Sequence, residues 1–363
     1  LTDKITIRVP DDMHVHFREG DMLRKVVPCT SSVFGRALVM PNTAHPMLGG
    51  ADVCAYAEEI NLAANRLNPS VPEGCPPFRP LTTVKLLRSS TPDVLHDAAA
   101  GGAVAAKFYP EGVTTNSHDG VADLRELAVS LAALERLDMV LCLHGEVPGA
   151  FCMDREALFL DSLRWAASSF PNLRIVLEHV TTAAAVREVR ALRPGVAATI
   201  TAHHLFHTLD DVVGGMLNPH AFCKPIAKTR DDRAALRSAA VSGDPKFFFG
   251  SDTAPHLRGK KECASGCAGV FSAPCAIESL ATAFDECGAL DRLEDFVSHF
   301  GADFYAVPRN PGTITLARED WRVPDEVHGV VPFMAGKSLP WRVTSDRHMS
   351  FVASRPTVES GHV

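Results

Sequence analysis

Met139-Val140-Leu141-Cys142-Leu143-His144-Gly145-Glu146 is a run of five apolar residues that ends on a histidine. A strand that is apolar on both faces is buried on both faces, the mark of a parallel sheet covered by helices. Comparable runs occupy residues 5–9, 37–40, 81–87, 103–108, 174–177, 196–201 and 246–249, which with 139–143 makes eight. Helix-like stretches at 51–67, 121–137, 155–168, 183–192 and 231–241 separate them. Eight such units predict an α/β fold, a (β/α)8 TIM-type barrel, which takes about 250 residues or more. The chain has 363. No Gly-X-Gly-X-X-Gly follows the first run, which argues against an open doubly wound sheet that binds a dinucleotide. Residues 1–363 are expected to form a single catalytic barrel domain. Helices at 273–286 and 293–300 complete its outer layer, and an extended tail starts at about 312. Residues 69–80 read as a Pro-rich connection.

Composition narrows the function classes. Hydrophobic residues make up 46% and charged residues 22%, as in a globular protein with a large core. The net charge is −7 and no basic stripe stands out, so no nucleic-acid partner is expected. No apolar run approaches the roughly 20 residues of a membrane span, so no membrane partner is expected either. The first residues show no signal-peptide pattern. Ten cysteines are scattered, several inside apolar runs, which fits reduced thiols in the cytoplasm. Cys263, Cys267 and Cys275 lie close in sequence but lack the two-residue spacing of a structural zinc site.

Polar residues stand where several of the runs end. His14-Val15-His16 follows the first, Asn42 the second, Lys107 ends the fourth, His144 the fifth, His179 the sixth and Asp252 the eighth. Alternate side chains of an extended segment face the same way, so His14 and His16 can reach one ion. In a barrel the strand ends converge on the C-terminal face, where catalysis occurs. Lys107 follows small apolar residues, and a buried ammonium is costly unless it is paired or chemically altered.

With these positions the chain resembles the amidohydrolase superfamily, and within it the short, single-function dihydroorotase family. The matching words are residues 8–18, 39–42, 105–110, 114–116, 143–147, 178–182, 198–201, 250–256, 266–269 and 331–336, in order along almost the whole chain. The resemblance implies a metal-dependent hydrolase with two zinc ions. His14, His16 and Asp252 would hold the more buried ion, and His144 and His179 the other. Lys107, carboxylated by CO2, would bridge both, as would a hydroxide. Asp252 would be ligand and general acid/base in the reversible cyclisation of N-carbamoyl-L-aspartate to L-dihydroorotate, a step of pyrimidine biosynthesis. Arg18, Asn42, His256 and the backbone of Ala268 would bind the small-molecule substrate's carboxylate. Thr114 and Thr115 would sit on a loop that closes over it. A homodimer is also implied.

Two departures stand out. Lys224 occupies a position where relatives commonly have Leu; its backbone is expected to contact the pyrimidine. Of His203, His204 and His207, only His204 fits the family word, and the other two read as structural or surface residues. Other cyclic-amide hydrolases (dihydropyrimidinase, hydantoinase, allantoinase) are the rival reading. Their small β-sandwich takes about fifty residues before the His-X-His, whereas 13 residues precede His14 here. A metal-free binding scaffold is the rival from a different class.

Overall fold

The computed structural model describes residues 3–66 and 77–344. The Pro-rich stretch at 69–80 falls mostly outside these residues, as does the end of the chain. In chain order the elements are β1 (Lys4–Arg8), β2 (Asp11–Val15), α1 (Gly20–Ser31), β3 (Arg36–Val39), α2 (Gly50–Arg66), β4 (Arg79–Leu86), α3 (Pro92–Ala100) and β5 (Ala103–Phe108). Next come α4 (Ala128–Leu137), β6 (Val140–Leu143), α5 (Arg155–Ser169), β7 (Ile175–Leu177), α6 (Ala183–Ala191), β8 (Val196–Ile200), α7 (Leu209–Val213), α8 (Arg230–Ala240) and β9 (Phe247–Phe249). The last part holds α9 (Arg258–Lys261), α10 (Ala276–Glu286), α11 (Phe300–Phe304), β10 (Thr313–Ala317), β11 (Trp321–Arg322), β12 (Ser338–Leu339) and β13 (Arg342–Val343).

Strands β2 to β9 form one parallel eight-stranded sheet in sequence order. Its ends meet without a regular ladder. Asp252 N donates to His14 O and His16 N to Thr253 O, each at 2.9 Å. The buried Asp12 carboxylate takes the Ser251 amide at 2.8 Å and the His14 amide at 3.2 Å. The curled sheet is thus a TIM-type barrel, as expected.

The first barrel strand differs from the expectation. Residues 5–9 were expected in the barrel, but β1 lies outside it, antiparallel to β10, which in turn pairs with β13. The physical reason is visible in Lys4-Ile5-Thr6-Ile7-Arg8. Alternating polarity buries one face only, which suits an antiparallel sheet and not a barrel strand. The true first strand, β2, begins with two acids. Asp11 is accommodated by a two-bonded contact with Arg36, at 2.8 and 2.7 Å, and by Asn310 Nδ2 at 2.7 Å. Part of the segment after 312 is therefore strand, where an extended tail was expected.

Inside the barrel, Met13, Leu38, Met40, Leu81, Ala105, Val140, Cys142, Val176, Ala197 and Phe248 form a buried cluster with Tyr305. Phe304 and Tyr305 close the floor against Phe248, with ring centroids 5.5 and 6.2 Å away. Leu141, Leu143, Ile175, Leu177, Ala198 and Ile200 belong instead to the larger core under the helices. This alternation fixes which side chain at each strand's upper end faces the axis.

Candidate active site

Alternation alone would place Met13 and His14 on opposite faces. A register shift between Asp12 and Val15 breaks it, and both residues face inward. His14 Nε2, His16 Nε2 and Asp252 Oδ1 then form a triangle with edges of 3.4, 3.5 and 3.1 Å. Metal–ligand bonds of about 2.0–2.2 Å at tetrahedral angles set donors about 3.3–3.6 Å apart, a spacing that two of the edges match and the His16–Asp252 edge, at 3.1 Å, approaches from below. Gly250 permits the approach, since a Cβ there would sit 2.9 Å from both His14 Cβ and Thr199 Cγ2.

The second pair follows the neighbouring strands. The His179 ring lies 5.0 Å from that of His14 and 4.9 Å from that of His144. Glu178 and His179 are consecutive yet both reach the axis, because His179 adopts φ 41°. Asp252 at φ 45° and Arg18 at φ 63° are left-handed as well. Such conformations cost of order 1–3 kcal/mol each and gather where function requires them.

Partners sequence reading missed hold the imidazoles. Glu178 Oε2 accepts from His14 Nδ1 at 2.8 Å and from Thr199 Oγ1 at 2.6 Å, while Thr199 Oγ1 takes the His179 amide at 2.7 Å. One carboxylate and one hydroxyl thereby join both halves of the site. Glu146 Oε2 lies 2.7 Å from His144 Nε2, leaving Nδ1 as that ring's other donor. Such outer partners set tautomer and ring orientation. Only Glu146, two residues after His144, had a signal in the sequence; Glu178 stands beside His179 but holds His14, 164 residues away.

Lys107 is fully buried and its Nζ has no hydrogen-bond partner. Burial pulls its ammonium below the usual range against the pull of Glu178. Burial pushes the Asp252 carboxyl up, but the hydrogen bond to His16 and the nearby His179 and His14 outweigh it and hold the group well below the usual carboxylate value. The same burial lowers His16 to about 4. The imidazoles of His16, His144 and His179, held toward the neutral form by burial, with an ionised carboxylate and an unsatisfied lysine nitrogen, make a donor set that fits metal ions.

The residues expected to bind substrate lie next to this centre. Arg18 Nε donates to Pro255 O at 3.1 Å, and its Nη2 meets His256 Nε2 at 3.0 Å. His256 Nε2 also lies 3.1 Å from Ala268 O. Asn42 Nδ2 donates to Thr115 O at 3.1 Å, and Asn116 Nδ2 returns a bond to Asn42 O at 2.9 Å. Arg18, Asn42, Thr115 and His256 line one cavity of about 320 Å³. The Thr114 amide is held by Ser117 Oγ at 2.9 Å. The Lys224 ammonium is committed to Val113 O at 2.7 Å, on the same loop. Of the residues expected at the site, Arg18, Asn42, Thr115 and His256 share this cavity; Ala268 joins it through His256, and Lys224 through Val113 O on the loop that carries Thr115.

Two buried lysines unnoticed in the sequence brace it. Lys85 Nζ donates to Asn116 O at 2.7 Å and pairs with Asp119. Lys261 Nζ donates to Phe222 O and Cys267 O, both at 3.1 Å, and to Gly269 O.

No family model matches the chain. It is 45% identical over 350 residues to the dihydroorotase of Teredinibacter turnerae, covering 94% of this chain and 99% of that one. Its fold superposes on the dihydroorotase of Saccharomyces cerevisiae in complex with 5-fluoroorotic acid with a TM-score of 0.87, at 36% identity over 94% of this chain and 98% of that one. The dihydroorotase of Campylobacter jejuni gives a TM-score of 0.83, also at 36% identity and with the same two coverages of 94% and 98%. Solved hydantoinases match at 13–14% identity, which shows the fold alone. At 45% identity over nearly the full length of both chains, this chain belongs to the dihydroorotase family of the amidohydrolase superfamily.

Proposed function

We propose that the enzyme interconverts N-carbamoyl-L-aspartate and L-dihydroorotate at two zinc ions bridged by a carboxylated Lys107. The observation that carries this reading is the Lys107 nitrogen itself. It is buried and unpartnered, and it lies within electrostatic reach of Glu178 and Asp252 and of His144 and His179. Carboxylation by CO2 would turn that cation into an anion, and the bound ions would offset the cost of burying it. His14, His16 and Asp252 would hold one ion and His144 and His179 the other.

When bound, the two ions supply an acidified water and a polarised ring carbonyl. The remaining work belongs to the chain. Asp252 takes the proton of the attacking water and returns it to the ring nitrogen that leaves, so one carboxylate serves as base and then acid. In the cyclising direction it removes the ureido proton and releases it with the departing water. Arg18, held by Pro255 O and His256, presents its planar fork to the substrate carboxylate. Asn42, His256 and the Ala268 backbone orient that carboxylate. The 224 backbone faces the pyrimidine edge, and Thr114 and Thr115 cover the open-chain substrate and exclude water. The same reading makes the enzyme a cytosolic homodimer, for which sedimentation is the direct measurement. Among the described residues no disulfide forms and no helix is long and apolar enough to cross a membrane.

The test is Lys107→Ala, assayed with dihydroorotate and dihydrouracil beside metal analysis. The expected result is loss of binuclear occupancy and a fall in dihydroorotate turnover of more than about 100-fold. Short carboxylic acids should partly restore turnover by replacing the missing bridge. Full metal content with normal turnover would sink the bridging role. A preference for dihydrouracil in the parent enzyme would sink the substrate assignment, and a chain that purifies without metal and turns over neither would be a scaffold.

A further inference from the structure

His203 and His204 follow β8, and Cys223 lies in the loop before α8. None of the three belongs to the donor set assigned to the catalytic ions. Thr201 Oγ1 holds His204 Nδ1 at 2.8 Å, which turns Nε2 toward Cys223 Sγ at 3.5 Å and Pro225 O at 3.3 Å. Cys223 Sγ lies 3.3 Å from the same carbonyl. A tetrahedral ion with bonds of about 2.3 Å to sulfur and about 2.0 Å to nitrogen separates those donors by about 3.5 Å, the spacing found here. His203 supplies the unexplained group. It is 1% exposed, and neither of its ring nitrogens has a hydrogen-bond partner. One nitrogen lies within 4.8 Å of the His204 and Cys223 donor atoms. A buried imidazole with two idle nitrogens calls for an explanation, and a missing ligand partner is one.

A surface cavity lies nearby. Phe333 packs edge-on against the His203 ring at 6.3 Å and the His207 ring at 5.1 Å. With His207 and His220 it lines a surface cavity of about 230 Å³. The Nδ1 atoms of His207 and His220 are also buried without partners. Phe333 thereby stands between this cavity and the His203 ring.

We propose that His203, His204 and Cys223, with the Pro225 carbonyl as fourth ligand, bind one borderline-soft divalent ion such as zinc or cobalt, separate from the catalytic pair. Thiolate and imidazole select such ions over magnesium or calcium. Burial lowers His204 to about 4 and holds His203 well below the ordinary imidazole value, so both rings are in the ligand form. On binding, the Cys223 thiol releases its proton to solvent as the sulfur–metal bond forms.

The test is a cobalt titration of the purified holoenzyme, followed by metal analysis and by the thiolate-to-cobalt charge-transfer absorption. The proposed catalytic donors are nitrogen and oxygen, so that absorption reports a cysteine. One further equivalent per chain is expected, with a band that saturates alongside it. Cys223→Ser should abolish the band, His203→Gln should weaken binding by more than about tenfold, and Cys263→Ser should leave the band intact. His203→Gln keeps the test open if Cys223→Ser does not fold. The proposal falls if the parent binds no further equivalent, if the band survives Cys223→Ser, or if affinity is unchanged in His203→Gln. Dihydroorotate hydrolysis is measured on the same samples. If no further ion binds while turnover is intact, this site alone is overturned and the catalytic reading stands.

Discussion

Glu178 shows how a single backbone angle builds a site. Its neighbour His179 should face the opposite way on a regular strand. The turn to φ 41° at His179 brings both to the axis, where Glu178 binds His14 and His179 faces His144. The carboxylate thus orients a proposed ligand of one ion from the residue beside a proposed ligand of the other. Glu178→Gln keeps the shape but removes the charge that draws the His14 Nδ1 proton. Affinity for the more buried ion should fall about 10–100-fold, read by competition with a chelator. Unchanged affinity would show that His14 needs no such partner. The candidate ligands were legible as candidates in the sequence, because a histidine, lysine or aspartate at the end of an apolar strand points to the barrel's C-terminal mouth. Glu178 was not legible as a partner, since alternation predicts it on the wrong face and no residue type announces a left-handed histidine.

At the scale of elements, the loop at 110–120 is fixed by four side chains from three directions. Asn42 follows β3, Lys85 ends β4 and Lys224 precedes α8, and each binds a main-chain carbonyl of the loop. Asn116 on the loop returns a bond to Asn42 O. Lys224 was read only as a departure from relatives, with its backbone toward the pyrimidine. Its ammonium on Val113 O makes it also a loop anchor. One charge-assisted hydrogen bond is worth about 1.5–3 kcal/mol. Lys224→Met should therefore raise KM for the open-chain substrate by about tenfold and speed proteolysis within the loop. Lys224→Arg should restore most of both. A change in kcat alone, with protease resistance intact, would place Lys224 elsewhere in the reaction. Neither anchoring lysine could be read from spacing, because their acceptors are backbone oxygens, which every residue carries. The misplaced first strand has a related origin. The apolar pattern found a strand at 5–9, but only its alternation separates an antiparallel sheet outside the barrel from a barrel strand.

The molecule as a whole is held together by segments far apart in sequence. β1 and β10 pair over five residues each, and β13 adds Val343 against Leu316. Trp341, fully buried, fixes this sheet to α10. Its indole Nε1 donates to Asp285 Oδ2 at 3.2 Å, and Arg318 both stacks on the indole at 4.5 Å and binds the same carboxylate at 2.8 and 3.0 Å. Trp341→Ala should cost about 3–5 kcal/mol, the range for deleting a large buried aromatic, and chemical unfolding measures it. Asp285 adds a pH signature. The hydrogen bond from Arg318, aided by Trp341 and opposed by modest burial, lowers its folded-state pKa below the usual value. A depressed carboxylate contributes stability above its unfolded pKa and loses it as pH falls through the folded one. The group is partly exposed, so solvent screening limits the contribution to about 1 kcal/mol. Asp285→Asn should be less stable than the parent by about that amount at pH 7 and equal to it near pH 2. The two stability curves should converge on acidification, through the interval just below the ordinary aspartate pKa. Parallel curves would mean that Asp285 is no more ionised by folding than in the unfolded chain. The tie between α10 and the last strands would then rest on the Trp341 contact area alone.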